Sequence, residues 1–373
     1  MSSDLVTVFL CGDVMLGRGV DQILPHPGDP ALRERHARDA RAYVELAEAA
    51  NGPVPRPADF SWPWGDALQM LDEASPAARI VNLETSVTRS DAFAPGKEVH
   101  YRMHPANVPC LAAARPDVCV LANNHVLDFG RRGLEETLDT LAGAELRTAG
   151  AGTNPEDARR PAIIPVEGGH RILVFSLGMA SSGIPRAWAA AGDRNGVAFV
   201  ATPSDAAANE VLGRVRQVKR PGNVVVVSVH WGSNWGYGVS REQTAFARAL
   251  IDGGVDIVHG HSSHHPRPLE VYRGKLILHG CGDFIDDYEG ITGYENFRDD
   301  LRLPYLVSVE PDTGRLGDVR ITPLQARRMR LWHASYEDSR WLRTLLDRIG
   351  RGFRSYLDAE PEATLTLRPS SVS

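Results

Sequence analysis

The stretch that decides the fold runs from Asp256 to Phe284 and reads DIVHGHSSHHPRPLEVYRGKLILHGCGDF. Two short apolar runs, Leu269–Tyr272 and Lys275–His279, flank Arg273-Gly274 and predict a β-hairpin. Neutral imidazole binds metal ions and transfers protons near neutral pH, so a loop rich in histidine after the strand-like run 255–258 indicates a functional site. Five of the chain's 13 histidines lie in this stretch, namely His259, His261, His264, His265 and His279.

Four other apolar runs also end in polar side chains. They are residues 5–11 before Asp13, 79–83 before Glu84, 117–122 before Asn124 and His125, and 223–229 before His230. Helical periodicity is present over residues 31–50, 66–74, 106–114, 131–144, 204–219, 241–251 and 337–358. This order of elements predicts an α/β sandwich, in which the ends of the strands gather at one edge of the sheets. Oxygen and nitrogen donors at one edge indicate a metal centre.

Composition excludes several functional classes. The chain has 373 residues, of which 43% are hydrophobic and 24% are charged, as expected of a soluble protein with a sizeable core. A net charge of −6 argues against a general nucleic-acid binder. No apolar run approaches the roughly 20 residues that span a bilayer, and the N-terminus lacks the basic start of a signal peptide. Four scattered cysteines predict reduced thiols and a cytoplasmic location without membrane contact.

The chain divides into a catalytic part and a C-terminal extension. We expect residues 1–325 to form one catalytic domain, and residues 326–373 to add a strand and a basic helix that pack on the same domain. The polar tail from Ala359 is expected to fray. The helix carries arginines at 340, 343, 348, 351 and 354. A solvated face is the simpler interpretation of these arginines, and a docking surface for an acidic partner is the alternative.

The stretch from Asn123 to Gly130, NNHVLDFG, holds the best candidate for proton transfer. His125 lies between a strand and a helix beside two asparagines, which is an unusual setting for a histidine that only packs in a core. Asp128 is close enough in a tight turn to fix its tautomer. We therefore interpret His125 and Asp128 as a catalytic pair.

Five motifs in order resemble the CapA family of capsule-synthesis proteins of the poly-γ-glutamate type, a branch of the calcineurin-like metallophosphoesterases. The matching pieces are GDVMLGR from Gly12, NLE from Asn82, LANNH through Asp128-Phe129-Gly130, HWG from His230, and Gly260-His261 through His264-His265-Pro266. The resemblance covers roughly residues 5 to 310. It implies a four-layer α/β/β/α fold, with a metal site at the ends of the strands.

The resemblance also implies roles for individual residues. The metal-ligand positions would be Asp13, Glu84, Asn124, His230, His261 and His264, and His125 would be the acid/base histidine. Asp128, His230, His265 and Asp13 are the further catalytic candidates. Trp231 and Arg18, which lie inside the matching motifs, are candidates for binding the substrate. The assignment among His261, His264 and His265 stays open, because two serines separate His261 from His264.

The sequence departs from the phosphoesterase pattern at two positions. Met15 stands where that pattern has a histidine, and Glu84 takes the place of a bridging aspartate. A thioether is a poor ligand for a hard or borderline cation, so one of the two metal positions loses a ligand. We expect a single oxygen-rich site for Ca²⁺, Mg²⁺ or Mn²⁺ rather than Zn²⁺, together with weak phosphatase activity.

Members of this kind without a membrane anchor resemble peptide epimerases of lasso-peptide pathways. Epimerisation of an α-carbon needs a base, an acid on the opposite face and a group that stabilises the enolate. His125 with Asp128, and a histidine of residues 259–265 with Asp13 or Asp256, would supply the pairs. No motif for an organic cofactor is present. The expected function is therefore metal-dependent epimerisation of a peptide. The alternatives are a metal-dependent hydrolase of phosphoester or amide bonds and a capsule-assembly protein, and a homo-oligomer stays open.

Overall fold

A computed structural model describes residues 5–360 and 363–367. The first residues of the N-terminal stretch and most of the polar tail after Ala359 lie outside the described residues. The expectation that the N-terminus is not a signal peptide and the expectation of a frayed C-terminus therefore stay predictions.

The described residues form 23 strands, which include both strands of the predicted hairpin. In chain order they are β1 (Val6–Val14), β2 (Ala78–Leu83), β3 (Ser86–Val87), β4 (Arg102–Met103), β5 (Val118–Val120), β6 (Arg147–Ala149), β7 (Ala151–Gly152), β8 (Ala162–Pro165), β9 (Arg171–Met179), β10 (Gly196–Val197), β11 (Phe199–Val200), β12 (Asn223–His230), β13 (Ile257–His261), β14 (Leu269–Tyr272), β15 (Lys275–Leu278), β16 (Asp283–Ile285), β17 (Leu301–Arg302), β18 (Tyr305–Val309), β19 (Leu316–Ile321), β20 (Leu324–Ala326), β21 (Leu331–His333), β22 (Asp358–Ala359) and β23 (Leu365–Leu367).

Nine α-helices lie within the same residues. They are α1 (Gly19–Ile23), α2 (Arg41–Asn51), α3 (Asp66–Ala74), α4 (Val108–Ala112), α5 (Gly130–Gly143), α6 (Pro155–Arg159), α7 (Asp205–Val218), α8 (Arg241–Asp252) and α9 (Tyr336–Ile349). Short 3-10 helices cover Pro105–Asn107, Glu167–Gly169, Ala180–Ser182, Arg186–Trp188, Glu295–Phe297 and Gly350–Phe353.

Two large sheets carry the strand ends that the sequence singled out. The first has the order β22-β23-β19-β18-β1-β2-β5-β6, with β16 paired in parallel to β1. The second has the order β11-β9-β12-β13-β15-β14, with β8 paired to β9. The strands β1, β2, β5 and β6 are parallel, as are β9, β12, β13 and β15. Parallel strands deliver their carboxyl ends to one edge of each sheet.

Successive side chains of a strand point to opposite faces of its sheet, so the two sheets form three apolar clusters, one between them and one on each outer face. Val8 and Val226 belong to one buried cluster, which lies between the two sheets. Phe9 on the other face of β1 packs with α3, α4 and α5, while Val225 on the other face of β12 packs with α7 and α8. Helices therefore cover the outer face of each sheet, and this confirms the four-layer α/β/β/α fold.

Three predicted helices are clearly shorter in the structure. The helix expected over 106–114 covers only Val108–Ala112 and follows a 3-10 turn at Pro105–Asn107. The helix expected over 31–50 begins only at Arg41, and in the irregular segment before it Glu34 forms a buried ion pair with Arg18, 3.0 Å from Nη1 to Oε1. The helix expected over 337–358 ends at Ile349. Gly350 and Gly352 follow directly, and glycine is unfavourable in a helix interior.

The C-terminal segment packs against the two-sheet core. Strand β23 pairs with β19 of the first sheet, from Val319↔Leu367 to Ile321↔Leu365. Leu342 and Leu346 of α9 belong to the cluster between the sheets. The division at residue 325 stays a prediction, although the contacts expected of the extension are present.

Two further expectations concern membranes and thiols. Within residues 5–360 and 363–367, no helix has both the length and the apolar character needed to cross a membrane. Cys11, Cys110, Cys119 and Cys281 are free and buried, as expected for reduced thiols. The cellular compartment itself stays a prediction.

The cluster between the sheets should dominate the stability of the fold. Val226 is fully buried in it, so Val226→Ala removes two methyl groups and leaves a cavity. We expect the free energy of unfolding, measured by urea titration, to fall by about 2 kcal/mol. Ile163→Ala is the control, because Ile163 on β8 of the same sheet is 41% exposed. Equal losses in the two variants would contradict this assignment of the core.

Candidate metal centre

The strand ends bring three donor groups together at the edge of the sheets. Asp13 is the last residue but one of β1, His230 ends β12 and His261 ends β13. One ligand atom of each lies within 4.8 Å of the other two. Nδ1 of His230 is 2.7 Å from Nδ1 of His261, which is 3.8 Å from Oδ1 of Asp13. We call these three residues the donor trio.

Close approach of β1 to the residue before β16 places Asp13 in this cluster. A Cβ atom on Gly12 would lie 1.6 Å from the carbonyl oxygen of Gly282, so only glycine fits at residue 12. The amide of Asp13 donates to that same carbonyl at 3.1 Å. Asn82 Nδ2 donates to Asp13 Oδ1 at 2.7 Å, and the amide of Ser262 donates to Oδ2 at 3.2 Å. The carboxylate is therefore held in one orientation.

The hydrogen bonds of His261 leave its Nδ1 without a proton. The carbonyl of Cys11 can only accept, so His259 donates to it through Nε2 at 2.8 Å and uses Nδ1 as an acceptor. Ser228 lies 3.1 Å from His259 Nδ1 and 2.8 Å from His261 Nε2, so its hydroxyl donates to the former and accepts from the latter. Nδ1 of His261 consequently carries a lone pair.

His230 has the same protonation pattern through a different partner. Its Nε2 is 2.7 Å from Oδ1 of Asn124, an oxygen that can only accept, so Nε2 carries the proton and Nδ1 a lone pair. Burial lowers the pKa of both His230 and His261 well below the usual value, and no proton bridges them near neutral pH. Two lone pairs 2.7 Å apart repel each other unless a cation lies between them.

Charge in the surroundings also fits a cation. Burial, and then the neighbouring Asp283, raise the pKa of Asp13 to about 7. Burial and Asp13 raise the pKa of Glu84 well above its usual value. A divalent ion would stabilise these carboxylates in their charged form. Imidazole nitrogen and carboxylate oxygen together form a mixed donor set, rather than the oxygen-rich set expected from Asp13, Glu84 and Asn124.

Glu84 and Asn124 lie beside the donor trio, close to Nε2 of His230. Oε1 of Glu84 is 3.7 Å from His230 Nε2 and also 3.7 Å from His125 Nε2. Both residues are thus brought to the cluster. Their place as metal ligands stays a prediction, since Asn124 Oδ1 accepts the proton of His230 in this arrangement.

His125 and Asp128 form the pair that the sequence predicted. Nδ1 of His125 is 2.7 Å from Oδ2 of Asp128. Burial would raise the pKa of Asp128, but His125 and Lys97 outweigh burial and hold it below its usual value. The carboxylate therefore accepts, Nδ1 of His125 donates, and Nε2 faces Glu84 as a proton acceptor. Burial, reinforced by Lys97, lowers the pKa of His125 to about 4, so the imidazole is neutral near pH 7.

The prediction that a histidine of residues 259–265 lies beside Asp13 or Asp256 agrees with the structure for Asp13, whose Oδ1 is 3.8 Å from His261 Nδ1, but a closer pair joins His264 to Asp283. Nδ1 of His264 lies 3.0 Å from both oxygens of Asp283. Burial lowers the pKa of His264, but Asp283 outweighs burial and raises it above the usual value. The alternative prediction, that Asp256 is the partner of such a histidine, is wrong. Asp256 directly precedes β13, whereas His261 ends that strand, and its carboxylate bonds to Lys219 and Lys275.

Met15 fills the position where the phosphoesterase pattern has a histidine. It is fully buried, and its sulfur is 3.9 Å from the hydroxyl of Tyr288. That hydroxyl also bonds to Tyr101 at 2.9 Å. The ring of Tyr101 packs edge-on against His125 at 4.5 Å, and the ring of Tyr288 packs against His264 at 5.1 Å. Aromatic groups thus occupy the space between the two histidine–carboxylate pairs.

Three predicted site residues are placed away from the donor trio. Trp231 is 1% exposed in the core under α8, and its indole donates to the carbonyl of His279, so it is not available to a substrate. Arg18 is 4% exposed and neutralised by Asp287 and Glu34, which makes it a structural ion pair. His265 bonds through Nδ1 to the carbonyl of Pro266 and stacks on Phe297 at 4.6 Å, instead of contacting the donor trio.

Sequence reasoning missed several residues of the site, chiefly Lys97 and Asp283. Lys97 Nζ contacts Asp128 and the carbonyl of Asn124, and it lies 3.0 Å from His125 Nδ1. It comes from an irregular loop without any periodic signal. Asp283 follows Gly280-Cys281-Gly282, and an acid directly after such a glycine pair was the one signal available.

Comparison with known proteins agrees with the motifs. The family model for the bacterial capsule synthesis protein PGA_cap matches residues 7–288. A probable polyglutamine synthesis accessory protein of Mycobacterium tuberculosis is 52% identical over 369 residues, which cover 99% of this chain and 97% of the relative. The PGA biosynthesis protein CapA of Bacillus subtilis is 27% identical over 329 residues, which cover 87% of this chain and 72% of the relative.

Among solved structures, a 5'-nucleotidase precursor from Thermus thermophilus is similar with a TM-score of 0.46 and 16% identity, over 86% of this chain and 54% of that structure. The family match extends over most of the chain and includes Asp13, His125, His230 and His261. This confirms the resemblance inferred from the motifs: the chain belongs to the bacterial capsule synthesis protein PGA_cap family.

Proposed function

We propose that the protein is a metal-dependent accessory enzyme in the synthesis of a glutamate- or glutamine-derived polymer, and that it cleaves an amide bond of that polymer. The observation that carries the proposal is the approach of His230 Nδ1 to His261 Nδ1 at 2.7 Å, beside Asp13 and close to His125. The relatives named above are polymer-synthesis proteins, which supports a polymer as the substrate.

The donor trio would hold the metal ion. A divalent ion bound there supplies Lewis acidity, which polarises an amide carbonyl. The His125 imidazole accepts a proton at Nε2 from the attacking water, while Asp128 stabilises the imidazolium that forms. The same nitrogen then returns the proton to the leaving amine. Lys97 holds Asp128 in place through its own contact with that carboxylate.

The experiment follows cleavage directly. The full-length protein loaded with Mn²⁺ is incubated with γ-linked and α-linked decamers of glutamate and with an α-linked decamer of glutamine in ¹⁸O-labelled water, and the products are analysed by mass spectrometry. We expect shorter chains with one ¹⁸O atom in each new carboxylate, and no cleavage after chelation of the metal. Intact decamers of every kind with the metal-loaded protein would overturn the proposal.

Epimerisation, the function first expected from the sequence, is a second candidate. The observation in its favour is the presence of two histidine–carboxylate pairs, His125 with Asp128 and His264 with Asp283. A two-base reaction needs such pairs on opposite faces of an α-carbon. The same incubation in D₂O separates the candidates, because epimerisation adds one deuteron to the peptide without cleaving it.

Phosphatase activity is expected to be weak. Met15 offers sulfur to a site where the second metal would need a nitrogen ligand, so only one ion is held well. Turnover of p-nitrophenyl phosphate should stay far below about 10 per second, an ordinary enzymatic rate. Met15→His should raise that turnover, while Met15→Leu should leave it unchanged. Rapid turnover by the unaltered protein would refute the argument from this ligand.

A further inference from the structure

The outer face of α9 and the turn after it is rich in exposed arginine. Leu342, Leu345 and Leu346 point into the core, so the opposite side of the helix faces solvent. The helix and the turn carry five exposed arginines, at 340, 343, 348, 351 and 354. Arg343 contacts Asp347, whereas no carboxylate among the described residues forms an ion pair with the other four. We call the four arginines without such a partner, Arg340, Arg348, Arg351 and Arg354, the arginine face.

A group of aromatic side chains lies between the arginine face and the site. Trp235 stacks on Tyr294 with ring centroids 3.9 Å apart and an interplanar angle of 5°, and Phe297 packs against both Trp235 and Tyr237. Tyr294 is 38% exposed and the other three are half-buried. We call Trp235, Tyr237, Tyr294 and Phe297 the aromatic wall.

The two features meet, and the wall reaches the catalytic cluster. The guanidinium of Arg348 lies 6.0 Å from the centroid of the Tyr237 ring. At the other end of the wall, the ring of Trp235 is 5.2 Å from that of His264, the partner of Asp283. Cationic and then aromatic groups therefore lead from Arg348 of α9 to His264, whose partner Asp283 lies opposite Asp13 in the pairing of β1 with β16.

We propose that this surface is a binding track for an extended polycarboxylate chain, which the arginine face holds by its carboxylates while the aromatic wall guides the next segment to the metal centre. The proposal rests on the proposed function for the existence of a polymer substrate. Guanidinium groups bind carboxylates with paired hydrogen bonds, and the exposed rings pack against the apolar part of a polyamide chain.

Spacing agrees with an extended polymer. Eight residues of helix separate Arg340 from Arg348, which is a rise of about 12 Å. Three to four residues of an extended polypeptide span roughly the same distance. A carboxylate on every residue can thus meet successive arginines, whereas the neutral amides of polyglutamine offer the arginines no charge to neutralise.

The test is binding, measured by fluorescence anisotropy with the full-length protein and a labelled decamer of L-glutamate at low salt. We expect the dissociation constant to rise by about 10-fold in the double variant Arg348→Gln and Arg351→Gln, since each exposed charge pair contributes modestly. Raising the salt to 0.5 M should weaken binding to the unaltered protein and should affect the double variant less. A labelled glutamine decamer should bind weakly to both proteins.

The matched control is the double variant Arg147→Gln and Arg171→Gln. Both residues are exposed arginines at the amino ends of their strands, opposite the edge that carries the site. Equal weakening by the control pair, equal binding of the glutamine decamer, or tighter binding of a single-stranded DNA of ten nucleotides would each overturn the proposal. Binding is measured without turnover, so the binding track would still be supported if no amide bond were cleaved. Conversely, cleavage of a short peptide would still support the proposed function if the arginine variants bound the decamer normally.

Discussion

Replacing His125 with alanine is expected to lower the rate of polymer cleavage by about 10²-fold or more, the usual scale for a positioned general acid or base. The metal content should not change, because the donor trio consists of Asp13, His230 and His261 and does not include His125. Steady-state cleavage of the decamers and elemental analysis of the same preparation measure the two quantities together.

Asp128 and a remote histidine sharpen this prediction. Asp128→Asn keeps the size of the side chain but removes the charge that orients His125 Nδ1, so a smaller loss of activity with full metal content is expected. His36→Ala changes an exposed histidine and should leave the rate unaltered. A His125→Ala protein that stays fully active, or that loses activity only together with its metal, would show that His125 has a different role.

Much of the site could be predicted because its residues follow apolar runs. The β-branched run 223–229 is long enough to specify a central strand, and a parallel strand carries His230 to the edge of the sheet. The same argument placed Asp13, His125 and His261 at that edge. Sequence pattern is informative here because hydrophobic burial fixes each strand, and the strand fixes the residue that ends it.

Sequence pattern does not predict a site residue whose position depends on tertiary contacts. Lys97 reaches His125 from an irregular loop, and no periodicity indicates which loop folds over the site. Trp231 follows directly after His230, yet the packing of α8 buries it in the core. Asp256 and Asp283 are both acids near histidines in the sequence. Only the path of the chain shows that Asp256 pairs with lysines and Asp283 with His264.

The tautomers of the site could not be read from the sequence either. The lone pair on His261 is the result of a chain of hydrogen bonds that begins at the carbonyl of Cys11 and passes through His259 and Ser228. The register of β12 against β13 places Ser228 opposite His259, and the packing of the two sheets brings His259 to Cys11 on β1. A sequence motif identifies the histidines, but the hydrogen bonds of the folded chain determine which ring nitrogen carries the lone pair.

Replacing Asp13 with asparagine is expected to abolish metal binding and with it all activity above background. Asp13 is the one carboxylate of the donor trio, and the facing lone pairs of His230 and His261 cannot hold a divalent ion as tightly without its charge. Elemental analysis should find about one divalent ion per chain in the unaltered protein and almost none in the variant.

Thermal stability gives an independent measure of the same loss. A ligand that binds only the folded protein stabilises it by about 2.7 kcal/mol at a free concentration 100 times its dissociation constant. Added Mn²⁺ should therefore raise the melting temperature of the unaltered protein and leave that of Asp13→Asn where it was. The variant removes the repulsion between Asp13 and Asp283, but its amide nitrogen cannot accept a hydrogen bond, so one of the two bonds from Asn82 and Ser262 is lost. The quantity to compare is therefore the shift of the melting temperature on adding Mn²⁺ to each protein.

Asp256→Asn is the matched control, since Asp256 is also fully buried but bonds to Lys219 and Lys275 away from the donor trio. Loss of its charge leaves two lysines without their partner, so this variant should be less stable while its metal content stays normal. Two outcomes would contradict the assignment of the trio: a full complement of metal in Asp13→Asn, or a loss of metal in Asp256→Asn at a temperature where that protein is folded. In either case the ion would be held by other residues than the three strand ends.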